Sequence, residues 1–182
     1  VTVGAVELGQ GAKTALAQIA AEELGVATDR ATVESATHAD GVEDKYGSIA
    51  NRTTYLMGRA IAEAAEELTE ALVERTGEDP DALAERAGEG LDAAVDGLER
   101  EIAATSRVET NHGPSAFGVH FAGVAVDPGT GAVDLETYVA AQDVGYAINP
   151  AMVEGQLHGA VQHGVEFALT SEFELDRGIP QN

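Results

Sequence analysis

The spacing of apolar positions divides the chain into short strands and longer helices. Residues 1–7, VTVGAVE, are rich in β-branched side chains and end at Gly9-Gln10-Gly11, as a strand ends at a turn. Leu16, Ile19, Ala20 and Leu24 then fall on one helical stripe. Thr14 is the candidate cap, and Gly25 suits the residue just past the helix. Residues 31–35, ATVES, read as a second short strand, and residues 36–51 as a polar loop. A helix is expected from Thr53 or Thr54 to about Arg75. Asp79 and Pro80 suit the cap and first turn of a further acidic helix to about Thr105, which Gly88, Gly90 and Gly97 weaken.

From Gly118 the period becomes two. Val119, Phe121, Val124 and Val126 suggest a strand with a gap at Gly123, and Val133, Leu135, Thr137 and Val139 suggest its return. Asp127-Pro128-Gly129-Thr130-Gly131 supplies the turn, so residues 117–141 read as a β-hairpin. A helix follows from about Ala151 to Leu169, with Asn149 as its cap and Pro150 in its first turn. Residues 170–182 carry no clear period and are expected to be poorly structured. The pattern fits an α+β or α/β fold with short strands packed against longer helices.

Composition narrows the setting. The 182 residues hold 32 acidic and 10 basic side chains, a formal net charge of −22. Lysines are confined to Lys13 and Lys45, aromatics are 4%, and there is no tryptophan. Residues 68–107 form an acidic helical arm, read as a solvated surface, with a docking surface for another subunit as the alternative. This balance argues against nucleic-acid binding and against an anionic membrane surface. It suits a high-salt cytoplasm, where the Debye length shrinks to about 3 Å. The chain holds no cysteine, which excludes disulfides and cysteine-bound metal clusters within it. No apolar run approaches the roughly 18 residues that span a bilayer, and a cytoplasmic location is expected. The start at Val1 reads as that of a fragment or processed piece.

Three stretches carry candidate chemistry. Gly9-Gln10-Gly11 joins a strand to a helix, whose first amides and positive dipole end suit an anion. A tight turn is the plainer reading. Ala50, Asn51 and Thr53 stand at the head of the next long helix and offer a second set of amides and hydroxyls, or a simple cap. On the late helix, Gly155, Gly159, Gln162 and Glu166 share one face. Each helical glycine costs about 1 kcal/mol against alanine, which makes sense where another backbone or a ligand packs closely. The five histidines (38, 112, 120, 158 and 163) lack zinc-helix spacing, and no metal site or catalytic residue is assigned.

Together these stretches resemble the molybdenum hydroxylase family, that is, the molybdopterin-binding large subunit of xanthine dehydrogenase, aldehyde oxidase and carbon monoxide dehydrogenase. The resemblance rests on ELGQGAKTALAQIAAEELGV, ANRTTYLMGRAIAEAA and HFAGVAVDPGTGAVDLETYVAAQDVGYAINPAMVEGQLHGAVQHGVEFAL, in the family's order. It implies an α+β molybdopterin-binding domain of the xanthine dehydrogenase and aldehyde oxidase type over residues 1–182. It also implies a molybdenum–molybdopterin cofactor, in mono- or dinucleotide form, with FAD and 2Fe-2S on partner subunits. By the same likeness Gly9, Gln10 and Gly11 contact the pterin near the metal. Ala50, Asn51 and Thr53 bind its phosphate or nucleotide tail, and Gln162 and Gln156 contact the cofactor from the late helix. Asn51 stands where a serine is usual, and the family's catalytic Gly-Glu motif is absent after Leu169. The expectation is therefore a piece of an oxidoreductase large subunit that does not turn over substrate alone. Its partners would be the rest of that subunit, the iron–sulfur and FAD subunits and a small-molecule substrate. The rival is a non-catalytic acidic scaffold domain that keeps the fold without the cofactor. If the acidic surface is fitted to salt, raising KCl from 0.2 to 2 M raises the thermal unfolding midpoint by several degrees, because like-charge repulsion is screened. A scanning fluorimetry series in KCl measures this.

Overall fold

The computed structural model describes residues 1–36, 44, 46–49, 51–77, 101–109 and 115–181. They fall into two compact units, Val1–Pro114 and Ser115–Asn182.

In the first unit, β1 (Thr2–Val3) pairs in parallel with β2 (Glu34–Ser35), Thr2 opposite Glu34 and Val3 opposite Ser35. The crossover between them is α1 (Ala12–Glu23). This helix begins before Thr14, so Thr14 is not its cap. Gly11 holds the cap position at φ 82°, a left-handed conformation that glycine adopts without strain. The other end closes as the sequence suggests. Gly25 has φ 63°, its N–H donates to Glu22 O at 3.1 Å, and Val26 N–H donates to Ala21 O at 2.9 Å.

Next comes α2 (Arg52–Thr76), which ends at Gly77 with φ 68°. Residues 78–100, including Asp79 and Pro80, lie outside the described residues. Residues 101–109 carry no helix, so the expected acidic helix does not reach Thr105. Ser106 holds this segment to α2 by donating to Glu63 Oε2 at 2.8 Å.

The core of this unit is thin and made of small side chains. Val3, Ala5, Leu16, Ala20, Val33 and Ile61 form its buried cluster, with Ala17, Ile19, Ala31 and Met57 packed against it. Leu16 and Ala20 are fully buried. The helices approach so closely that a Cβ on Gly58 would meet Ile19 Cδ1 at 2.8 Å. Glycine at 58 is what allows that approach.

In the second unit, β3 (Phe117–Val126) and β4 (Val133–Asp143) form an antiparallel ladder from Phe117 opposite Asp143 to Val126 opposite Val133. The register shifts between Gly123 and Val124, where the alternation in the sequence has its gap. Asp127 Oδ1 accepts from Gly129 N–H at 2.7 Å, and Gly131, at φ 77°, donates its N–H to Asp127 O at 2.8 Å. The Gly129 amide first, and then the hydroxyl and amide of Thr130, hold the Asp127 carboxyl below the usual range. The third helix, α3 (Pro150–Leu169), starts as the sequence predicts, with Asn149 Oδ1 accepting from Met152 N–H at 3.2 Å and Pro150 in the first turn.

The tail differs from expectation. β5 (Leu175–Asp176) and β6 (Ile179–Pro180) pair antiparallel. Arg177 and Gly178 between them have φ 49° and 84°, as a two-residue hairpin loop requires.

Across the hairpin from α3 lies an apolar face. Tyr138 and Ala140 are half-buried and, with Leu135, line the groove against α3. Phe117, Val119, Phe121 and Val139 alternate with them and are exposed, Phe117 and Phe121 at 67% each. Among the described residues no helix is long and apolar enough to cross a membrane. Leu16→Ala removes the best-buried side chain of the first unit, and a loss of about 2–5 kcal/mol in unfolding free energy is expected from the urea midpoint.

Candidate functional site

The first candidate stretch is built around the backbone of Val6 and the side chain of Glu7. Val6 O accepts from Gln10 Nε2 at 3.0 Å and from Ser48 Oγ at 2.9 Å, while Val6 N–H donates back to Ser48 Oγ at 3.0 Å. Gln10 Oε1 accepts from Leu8 N–H at 2.6 Å. The Gln10 carboxamide is thus folded onto its own loop, with its plane set by Val6 and Leu8.

Glu7 closes the loop from the other side. Its Oε1 accepts from Gly9 N–H at 2.8 Å and Gly11 N–H at 3.0 Å, and its Oε2 from Lys13 N–H at 3.0 Å. These amides are the ones that the sequence offers to an external anion. A carboxylate of the chain itself takes them, and this is why α1 needs no cap from Thr14. The Lys13 amide is the largest cause that lowers the Glu7 carboxyl below its ordinary range. Partial burial opposes it, and the Gly11 and Gly9 amides and the Lys13 ammonium add to it.

The second stretch behaves differently. Asn51 occupies the cap position of α2 at φ 57°, and its side chain makes no capping hydrogen bond. Asparagine tolerates this left-handed conformation better than most residues. The first turn of α2 contains no acidic residue. Thr53 is half-buried at the same helix start. Ala50, the third residue expected here, lies outside the described residues. Arg52 points back along the preceding loop, with Nη1 3.3 Å from Asp44 Oδ1 and 3.1 Å from Gly47 O, and its guanidinium 4.7 Å from the centre of the Tyr46 ring.

The two helix starts are brought to one end of the unit. The Val6–Ser48 bonds lie just before each helix, and the Ile19–Gly58 contact lies about two turns into each. Contacts matched in this way require α1 and α2 to run side by side in the same direction. Each helix start carries about half a positive charge. Glu7 neutralises that of α1, and the described residues offer no equivalent carboxylate at the amides of α2. Leu8, Tyr46 and Ile49 are exposed around this end.

The late-helix residues belong to the second unit. Gln162 lines an open groove of about 440 Å³ with Tyr138, Leu157, His158 and Val161, whereas Gln156 is exposed outside it. A Cβ on Gly155 or Gly159 would meet nothing within 4 Å. The close backbone packing expected there is absent among the described residues, and this glycine face is open. The described histidines do not gather. His120 Nδ1 lies 2.8 Å from the Tyr138 hydroxyl, His163 stacks on Phe167, and no metal-binding cluster occurs among the described residues.

Sequence reasoning missed Glu7 and Ser48. An acidic residue two positions before Gly9-Gln10-Gly11 is a legible signal, since a carboxylate there can reach the first turn of the following helix. Ser48 has no local signal, because its partner is 42 residues away.

Glu7 contributes stability while it is ionised. Because its folded carboxyl is lowered, that contribution is complete above the ordinary carboxylate range and is lost as the pH falls through the lowered value. The difference in unfolding free energy between the wild type and Glu7→Gln, followed by urea unfolding, is therefore expected to be largest at neutral pH, at about 1 kcal/mol, and to shrink as the pH falls below the ordinary carboxylate range.

The molybdopterin cofactor-binding domain family matches residues 1–182, the whole chain. The putative xanthine dehydrogenase molybdenum-binding subunit of Escherichia coli strain K12 is 31% identical over 203 residues, covering 98% of this chain and 27% of its own. The carbon monoxide dehydrogenase large chain of Hydrogenophaga pseudoflava is 27% identical over 199 residues, covering 96% of this chain and 24% of its own. The reconstituted carbon monoxide dehydrogenase from Oligotropha carboxidovorans shares the fold, with a TM-score of 0.81 at 24% identity over 99% of this chain and 25% of that one. This chain spans about a quarter of the length of the relatives it matches. With the whole of its length inside one family and the fold of that family in its elements, the chain belongs to the molybdopterin cofactor-binding domains of molybdenum hydroxylase large subunits.

Proposed function

We propose that this chain holds part of a molybdenum–pterin cofactor within a larger oxidoreductase of the xanthine, aldehyde or carbon monoxide dehydrogenase type. The observation that carries the reading is the asymmetry of the two aligned helix starts. The amides of α1 are satisfied by Glu7, whereas α2 begins with no side-chain cap and no acidic residue in its first turn. An anionic tail therefore fits the start of α2, beside the Asn51 carboxamide and the Thr53 hydroxyl. Ala50 joins them in the proposal.

The Gly9-Gln10-Gly11 loop takes the neutral, heterocyclic part. With one Nε2–H given to Val6 O and one lone pair of Oε1 to Leu8 N–H, Gln10 keeps its second Nε2–H and second lone pair for a ligand, and Leu8 and Ile49 supply exposed apolar surface. On α3, Gln162 and Gln156 are proposed as further carboxamide contacts. When bound, the cofactor supplies the redox-active metal, and the residues of this chain bind and orient it.

The remainder of the large subunit, FAD and 2Fe-2S subunits and a small-molecule substrate are the proposed partners, in the cytoplasm. The family's base glutamate would come from outside these residues. The donor set consists of amides, carboxamides and a hydroxyl, which suits a pterin phosphate and not a directly ligated metal.

Metal analysis and pterin fluorescence of the assembly purified from its native host test the reading. Molybdenum and pterin are expected in equal amounts, and Gln162→Ala is expected to lower both. Absence of both from the complete assembly would leave the scaffold reading in its place.

A further inference from the structure

The start of α1 already holds an anion, and it belongs to the chain. Three backbone amides, those of Gly9, Gly11 and Lys13, converge on the two oxygens of Glu7 at 2.8–3.0 Å. This is the donor arrangement that a phosphate takes at a helix start. Gly9 and Gly11 turn their amides inward with φ of 102° and 82°. A side chain at either position would be strained, so the cradle is written into the backbone.

Filling the cradle has two effects. The positive end of α1 is neutralised, and a second anion arriving there would meet a full negative charge at contact distance. The outer side of the loop is also fixed, because Gln10 takes its orientation from Val6 O and Leu8 N–H, on either side of Glu7 in sequence.

We propose that Glu7 is a positioning residue of the cofactor site: its carboxylate fills the amide cradle of α1 as a built-in anion and so sets the shape of the Leu8–Gly11 loop that meets the cofactor. The cradle itself follows from the geometry, whereas its service to the cofactor rests on the function proposed above.

Hydrogen exchange of the 6–14 segment in the assembled protein, with inorganic phosphate or formate as the probe, tests the cradle. In the wild type neither anion changes the exchange. In Glu7→Ala exchange speeds up roughly tenfold, and millimolar phosphate or formate slows it again. Glu7→Gln keeps the size of the side chain without its charge and gives the same acceleration where Glu7→Ala does not fold. Glu7→Asp keeps the charge and restores most of the protection.

Pterin retention after gel filtration tests the positioning role. It falls roughly tenfold in Glu7→Gln and recovers in Glu7→Asp. Phosphate-dependent protection in the wild type, or full pterin retention in Glu7→Gln, overturns the proposal. A wild-type assembly without pterin would sink the cofactor reading instead, and the exchange experiment would still decide whether Glu7 fills the cradle.

Discussion

Ser48 is bonded twice to the backbone of Val6, and the arrangement of both helix starts depends on that pair of bonds. Its hydroxyl donates to the carbonyl and accepts from the amide, as a neighbouring strand would. It thereby continues β1 beyond Val3 with a side chain in place of a strand. Without this link the segment before α2 would have no fixed relation to the segment before α1. The helices themselves are kept parallel deeper in the unit, where Leu16, Met57 and Ile61 pack and Gly58 admits Ile19. A thin aliphatic core thus suffices, because a few close contacts set the alignment and the backbone carries it to the helix ends.

The electrostatics run on two length scales. Over the whole molecule the charge is −22, which repels an anionic ligand. Beyond a Debye length of about 8 Å at physiological salt, and about 3 Å at molar salt, that field is screened. At contact distance the amides of a helix start act unscreened. A strongly acidic protein can therefore hold an anion, provided the local donors are free of carboxylates. Among the described residues no carboxylate takes the first amides of α2, where Asp44 pairs with the Arg52 guanidinium instead, whereas Glu7 takes those of α1.

The helices and the hairpin were legible because each has a sustained period and clear punctuation. Asn149-Pro150 and Gly77 mark ends of α3 and α2, and Gly25 marks the end of α1. The gap at Gly123 lies where the register shifts, but the extra residue, Glu136, is on the facing strand and was not read from the sequence. The start of α1 was misread because Glu7, six residues upstream, reaches the Lys13 amide and makes a cap at Thr14 unnecessary. The β5–β6 hairpin was missed because its strands are two residues long and carry no period at all. The candidate residues were visible as types of donor. Which amides were already occupied was not, since that depends on side-chain reach and on a loop contact 42 residues distant.

The β3–β4 hairpin has a consequence of another kind. It is a two-stranded ladder, so each strand keeps one outer edge whose backbone groups meet no further strand among the described residues. The strands are 10 and 11 residues long, and one of their faces is lined by exposed phenylalanine and valine. Long, flat, apolar edges are templates for strand addition by other chains. The acidic surface slows such encounters, because every copy carries the same sign. For this unit, then, the like charge of every copy works against edge-to-edge pairing of its exposed strands.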